Sequence, residues 1–115
     1  MQPPEVRTVT PERDGKLAEA VSRLVSAYSP ESIYLFGSMA RGDSGPDSDY
    51  DLLLIVPDDV PDALRNAQLA YRVLWGTGVA ADVIVQRRCY FESRKHIQSS
   101  LPATILREGK LLYAA

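Results

Sequence analysis

Residues 36–56 read FGSMARGDSGPDSDYDLLLIV. A Gly-Ser pair and ten intervening residues lead to Asp49-Tyr50-Asp51, which runs directly into Leu52-Leu53-Leu54-Ile55-Val56. Side chains alternate faces along a strand, so Asp49 and Asp51 are expected on one face and Tyr50 on the other. Two carboxylates at the mouth of a buried strand repel each other and lose hydration. A positive group is therefore expected between them, either a lysine or arginine or a divalent cation. Hard cations such as Mg²⁺ take oxygen ligands, commonly one or two carboxylates together with substrate phosphates. A third acid fits the same pattern. Asp82 is the only charge in the apolar segment VAADVIV, residues 79–85. If that segment pairs with Tyr50–Val56, three carboxylates converge.

Around this stretch the chain reads as a small α/β domain. Its 115 residues, 45% of them hydrophobic, suit a single domain, residues 1–115, with one packed core. The first nine residues read as a flexible arm. Thr10-Pro11 reads as a cap followed by proline at the first helical position, and Leu17, Ala20, Val21, Leu24 and Val25 recur at helical spacing, so a helix is expected over 11–28. Strands are expected over 33–36, 50–56, 79–85 and 110–113. Between the first two lies a loop, 37–48, with room for one helical turn after Gly37. Further helices are expected over 63–74 and 87–99. Pro102 is expected to interrupt the chain there, before a short helix over 103–107. The order α-β-β-α-β-α-β predicts helices packed on a small sheet.

Charge is divided along the chain. Residues 1–62 carry 5 basic and 12 acidic side chains, net −7, and residues 63–115 carry 8 basic and 3 acidic, net +5. An acidic site beside a basic docking surface would produce this, as would two solvated faces. The overall charge of −2 gives no bulk attraction for nucleic acid, and direct nucleic-acid binding is not expected. Cys89 is the only cysteine, which excludes an internal disulfide. No apolar run approaches the ~20 residues of a membrane span, and a cytoplasmic protein without membrane attachment is the expectation.

Gly37-Ser38 supplies the other half of a candidate site. Glycine at a strand end lets backbone approach a ligand closely, and a helical turn starting at Ser38 would offer free N–H groups to a phosphate. Phosphate-binding backbone opposite a carboxylate cluster suits phosphoryl or nucleotidyl transfer.

These residues carry a resemblance. Gly37-Ser38, ten residues, then Asp49-x-Asp51 resembles the signature of the polymerase-β-like nucleotidyltransferase superfamily. GSMARGDSGPDSDYDLLLIV resembles its minimal nucleotidyltransferase (MNT) group in particular, and ILREGKLLY, residues 105–113, resembles that group's C-terminal ending. Such proteins are commonly encoded beside a HEPN-domain partner as the MntA antitoxin of HEPN/MNT toxin–antitoxin pairs. The resemblance implies the polymerase-β-like nucleotidyltransferase fold, a small mixed β-sheet flanked by helices, and a Mg²⁺-dependent enzyme with ATP as donor. Asp49 and Asp51 would hold two Mg²⁺ ions on the nucleotide triphosphate, and Asp82 would share one and help deprotonate the attacking hydroxyl. Gly37 and Ser38 would grip the β and γ phosphates. Apart from the resemblance, Arg41 is a candidate for a further phosphate contact. The acceptor would be a tyrosine of the HEPN toxin, an RNase silenced by adenylylation, in a hetero-oligomer with it.

Other readings stand beside these. The same chemistry could serve a small-molecule acceptor, or the chain could inhibit its partner by contact through a vestigial site. Asp49 and Asp51 could form a solvated turn. Asp82 could pair with Arg41 or Arg72, and Arg41 with Asp43 or Asp47. His96 reads as an exposed helix residue, and Trp75 and the tyrosines as core or rim. Arg87, Arg88, Arg94 and Lys95 would share one face of a helix over 87–99, either solvated or docked to a partner.

Overall fold

A computed structural model of the chain describes residues 11–37 and 49–115. The expected N-terminal arm, the Thr10 cap, and Ser38, Arg41, Asp43 and Asp47 lie outside the described residues. The elements run α1 (Pro11–Tyr28), β1 (Ser32–Phe36), β2 (Tyr50–Val56), a 3₁₀ turn (Asp62–Leu64), α2 (Gln68–Leu74), β3 (Ala81–Arg87), α3 (Arg88–Arg94), α4 (Leu101–Glu108) and β4 (Lys110–Ala114). The sheet order is β3-β2-β1-β4. β1 is antiparallel to β2 and to β4, while β2 and β3 are parallel. This is the mixed α/β sheet flanked by helices that the resemblance implies.

β2 is an inner strand, and both its faces are covered. Leu52, Leu54 and Val56 pack with Leu17, Ala20, Val21 and Leu24 of α1 and Ala70 and Leu74 of α2. Leu53 and Ile55 point to the opposite face, against Phe91 of α3 and Ile105 of α4. Two-sided burial explains an unbroken apolar run where a half-exposed strand would alternate. Each such leucine contributes roughly 1.5–3 kcal/mol by burial.

Tyr28 ties α1 to α2. Its hydroxyl donates to the Asn66 carbonyl at 2.8 Å and accepts the Ala70 N–H at 2.8 Å. Burial pushes its pKa above the ordinary tyrosine value, against the Ala70 hydrogen bond. Asn66 also stops the helix expected over 63–74 from forming in one piece. Its Oδ1 accepts the Gln68 N–H at 2.9 Å, so a 3₁₀ turn and a seven-residue helix take its place.

Three further boundaries differ from expectation. β3 runs Ala81–Arg87 rather than 79–85, because pairing with β2 continues to Val56 opposite Arg87. The helix expected over 87–99 is only Arg88–Arg94: Ser100 Oγ donates to the Arg94 carbonyl at 2.6 Å, and the chain turns through Lys95–Ser99. Pro102 does not interrupt but opens a helix, sitting in the first turn where its missing N–H costs nothing, with Ser100 Oγ accepting the Ala103 N–H at 3.2 Å. Gly109 follows that helix; a Cβ there would lie 2.7 Å from the Ile105 carbonyl oxygen and 2.9 Å from that of Leu35, so only glycine passes. Trp75 proves to be rim, at 85% exposure.

Candidate active site

The parallel pairing of β2 with β3 sets Asp51 directly beside Asp82. Neighbouring strands lie ~4.8 Å apart and registered residues of a parallel pair share a face. That face is the one on which Leu53 and Ile55 meet α3 and α4, since Ala81, Val83 and Val85 pack toward the α1 side. The first half of the carboxylate pattern is thus a consequence of register. Tyr50 turns to the opposite face, against the α1 cluster. Its N–H donates to the Ala80 carbonyl at 2.9 Å, which extends the pairing to the very start of β2.

Across the antiparallel pair, Phe36 of β1 stands opposite Asp51, and Gly37 follows at once. Gly37 has φ +75°, a conformation that side chains other than glycine's rarely adopt. A Cβ on Gly37 would overlap Asp51 Oδ2 and lie 3.1 Å from its Cγ. Glycine is therefore required twice, by backbone angle and by the carboxylate pressed against it.

Asp51 is half-buried, while Asp49 and Asp82 are exposed. Asp82 belongs to none of the ion pairs among the described residues, so it is not the partner of Arg72. The three acids are not gathered equally. Asp51 and Asp82 stand level, Asp49 precedes β2 by one residue, and among the described residues no three His, Cys, Asp or Glu side chains lie together as a ready metal cage. The donor chemistry nonetheless suits a hard divalent cation, with carboxylate oxygens offered from adjacent strands.

The basic residues do not form the expected common face. Arg87 ends β3, Arg88 and Arg94 are the first and last residues of the short α3, and Lys95 follows it. Arg88 pairs with Glu31 at 3.6 Å, Lys95 with Glu92 at 2.7 Å, and the Arg94 guanidinium lies 4.6 Å from the centre of the Tyr90 ring. His96 is exposed, as expected, but lies in the turn after α3 rather than on a helix. One contributor was missed by sequence reasoning. The Tyr71 hydroxyl on α2 accepts the Val83 N–H at 3.2 Å, next to Asp82. Nothing in the spacing marks Tyr71, because its role depends on which strand forms the sheet edge.

Comparison with known proteins agrees with this fold. The model of the nucleotidyltransferase domain family matches residues 15–112. A curated protein of Methanocaldococcus jannaschii, named "Putative protein adenylyltransferase", is 34% identical over 99 residues, covering 84% of this chain and 94% of that one. Among solved structures, a toxin–antitoxin complex with AMP-PNP superposes with TM-score 0.54 at 20% identity, over 84% of this chain and 73% of the other. A mutant of the toxin–antitoxin MntA–HpeT superposes with TM-score 0.53 at 19% identity, over the same 84% and 73%. At that identity the two structures speak for the fold. No helix among the described residues is long and apolar enough to cross a membrane.

Proposed function

The chain belongs to the nucleotidyltransferase domain family and is a nucleotidyltransferase, and from that premise we propose that it moves AMP from ATP onto a tyrosine hydroxyl of a partner toxin of the HEPN class, acting as the antitoxin. The observation that carries this reading is the level pairing of Asp51 with Asp82 beneath the Gly37 turn. The adenylyltransferase name of the M. jannaschii relative supports a protein acceptor. The toxin–antitoxin assemblies that share the fold, one of them holding an ATP analogue, support the toxin and the donor.

In this reading Asp49, Asp51 and Asp82 would hold Mg²⁺, with two ions as the expected number. When bound, the metal neutralises triphosphate charge and lowers the pKa of the acceptor hydroxyl. The chain's own residues do the rest. The turn at Gly37, with Ser38 and Arg41 beyond it, receives the β and γ phosphates. The acceptor oxygen bonds to the α-phosphorus, the bond from that phosphorus to the bridging oxygen breaks, and pyrophosphate leaves. Asp82 takes the proton that the acceptor loses. Asp51, fixed between strands, orients the donor for that displacement.

Co-expression with the neighbouring toxin gene tests this. The wild-type chain should give a partner heavier by one or more AMP units, and cells should grow. Asp51→Asn and Asp82→Asn should leave the partner unmodified and toxic, the latter lowering transfer by roughly a hundredfold or more in vitro with little change in nucleotide affinity. Protection of cells by both variants with no mass gain on the partner would make the chain a contact inhibitor.

A further inference from the structure

Among the described residues β3 is an edge strand, paired only with β2. Along such a ladder alternate residues turn their backbone groups toward the neighbour. The bond from Tyr50 to the Ala80 carbonyl sets the phase, so Asp82, Ile84 and Gln86 face β2, and Val83 and Val85 point their N–H and C=O outward. The Val83 N–H is taken by Tyr71. The Val85 N–H and carbonyl have no partner among the described residues. Edge strands left open in this way are templates for an added strand.

A groove of about 290 Å³ follows this open stretch, lined by Arg65, Ile84, Val85, Gln86, Arg87 and Tyr90. Two of its large apolar side chains are accessible, Ile84 at 37% and Tyr90 at 44% exposure. Gln86 also lines it, and its Oε1 is buried with no hydrogen-bond partner among the described residues. The rim is cationic. Arg65 spends part of its charge on Asp62 at 3.5 Å, and Arg87 has no ion-pair partner among the described residues. A second copy of the chain would bring the same arginines against one another, whereas an acidic segment would be attracted to both.

We propose that an extended acidic segment of the acceptor protein adds beside β3 at Ile84–Arg87, and that this docking delivers the acceptor hydroxyl to Asp82. Val85 and Asp82 are three residues apart on one strand, about 10 Å, so the acceptor lies a few residues from the anchored stretch. The Tyr71 hydroxyl closes the edge at Val83 and stops the added strand short of the acids. The proposal rests on the transfer reading and supplies its acceptor specificity.

Amide hydrogen exchange and steady-state transfer, both with the full chain and its toxin partner, test it. Complex formation should slow exchange at the Val85 amide. Ile84→Glu and Arg87→Glu should each raise KM for the partner about tenfold or more with kcat little changed, and Arg87→Lys should recover most of the loss. The rise in melting temperature with Mg²⁺ and ATP should be the same in all three variants, which shows them folded. Wild-type transfer with unchanged exchange at Val85, or with KM unmoved by either glutamate, would overturn the docking and leave the transfer reading intact. Absence of transfer by the wild-type chain in a complex that does protect Val85 would overturn the delivery role through failure of the transfer reading. Protection of Val85 by a single-stranded RNA oligonucleotide that competes with the partner would make the edge an RNA site and overturn the proposal.

Discussion

Gly37 and Asp51 show how much a single missing methyl group can carry. The turn at φ +75° and the carboxylate packed against it exclude any side chain at position 37. Gly37→Ala should therefore cost on the order of 1–3 kcal/mol of backbone strain and displace the Asp51 carboxylate. Transfer should fall at least ~10-fold while circular dichroism keeps its native shape, with melting lowered by several degrees. Melting and transfer unchanged from wild type would refute the close packing. The sequence marks these residues by type and spacing, since Gly-Ser and Asp-x-Asp stand out against an apolar strand. It does not show that Gly37 touches Asp51, because that contact is made by the antiparallel pairing of β1 with β2. Nor does it show Asp82 level with Asp51, which is a matter of parallel register.

Elements are legible where periodicity is strong and lose definition where a side chain far away sets their ends. α1 and β2 follow their apolar patterns residue by residue. The α1–α2 junction instead depends on Tyr28. Tyr28→Phe leaves the Asn66 carbonyl and the buried Ala70 N–H unpaired, so unfolding free energy should fall by about 1–3 kcal/mol; a urea midpoint equal to wild type would argue against this tie. The start of α3 depends on Asp58 in the turn after β2, whose Oδ1 accepts the Cys89 N–H at 2.7 Å. That hydrogen bond, aided by Arg87 and Arg88, holds the Asp58 carboxyl below its ordinary pKa. A lowered folded-state pKa gives stability that is full above the unfolded carboxylate value and lost as pH falls through the folded one. Asp58→Asn should thus be less stable than wild type near neutrality, with the difference closing in acid. A difference that persists unchanged into strong acid would show that the carboxylate charge is not involved. The shortened α3 was unreadable for a similar reason, since its end is set by Ser100 taking the Arg94 carbonyl; the start of α4 was marked locally, by Ser100 as cap with Pro102 in the first turn, though Pro102 reads equally as a break.

At the scale of the whole molecule, the fold places its apolar strands in the middle and its acids at one end of them. β2 and β1 are the inner strands, with helices on both faces. β3 carries Asp82 at one end and an open backbone edge at the other. In the proposed reading this division gives one small domain both a reaction site and a nearby surface for the molecule it would modify. The fold class was legible because alternating helices and strands leave few arrangements, while the edge position of β3 followed only from the sheet order. The central claim, nucleotidyl transfer to a protein, is tested most directly with labelled donor. Purified chain, partner toxin and Mg²⁺ are incubated with ATP labelled at either the α- or the γ-phosphate, and the label on the partner is counted. Label from the α position should appear on the partner, with none from the γ position, and Asp82→Asn should remove nearly all of it. Label arriving from the γ-phosphate, or none arriving from either, would contradict the account.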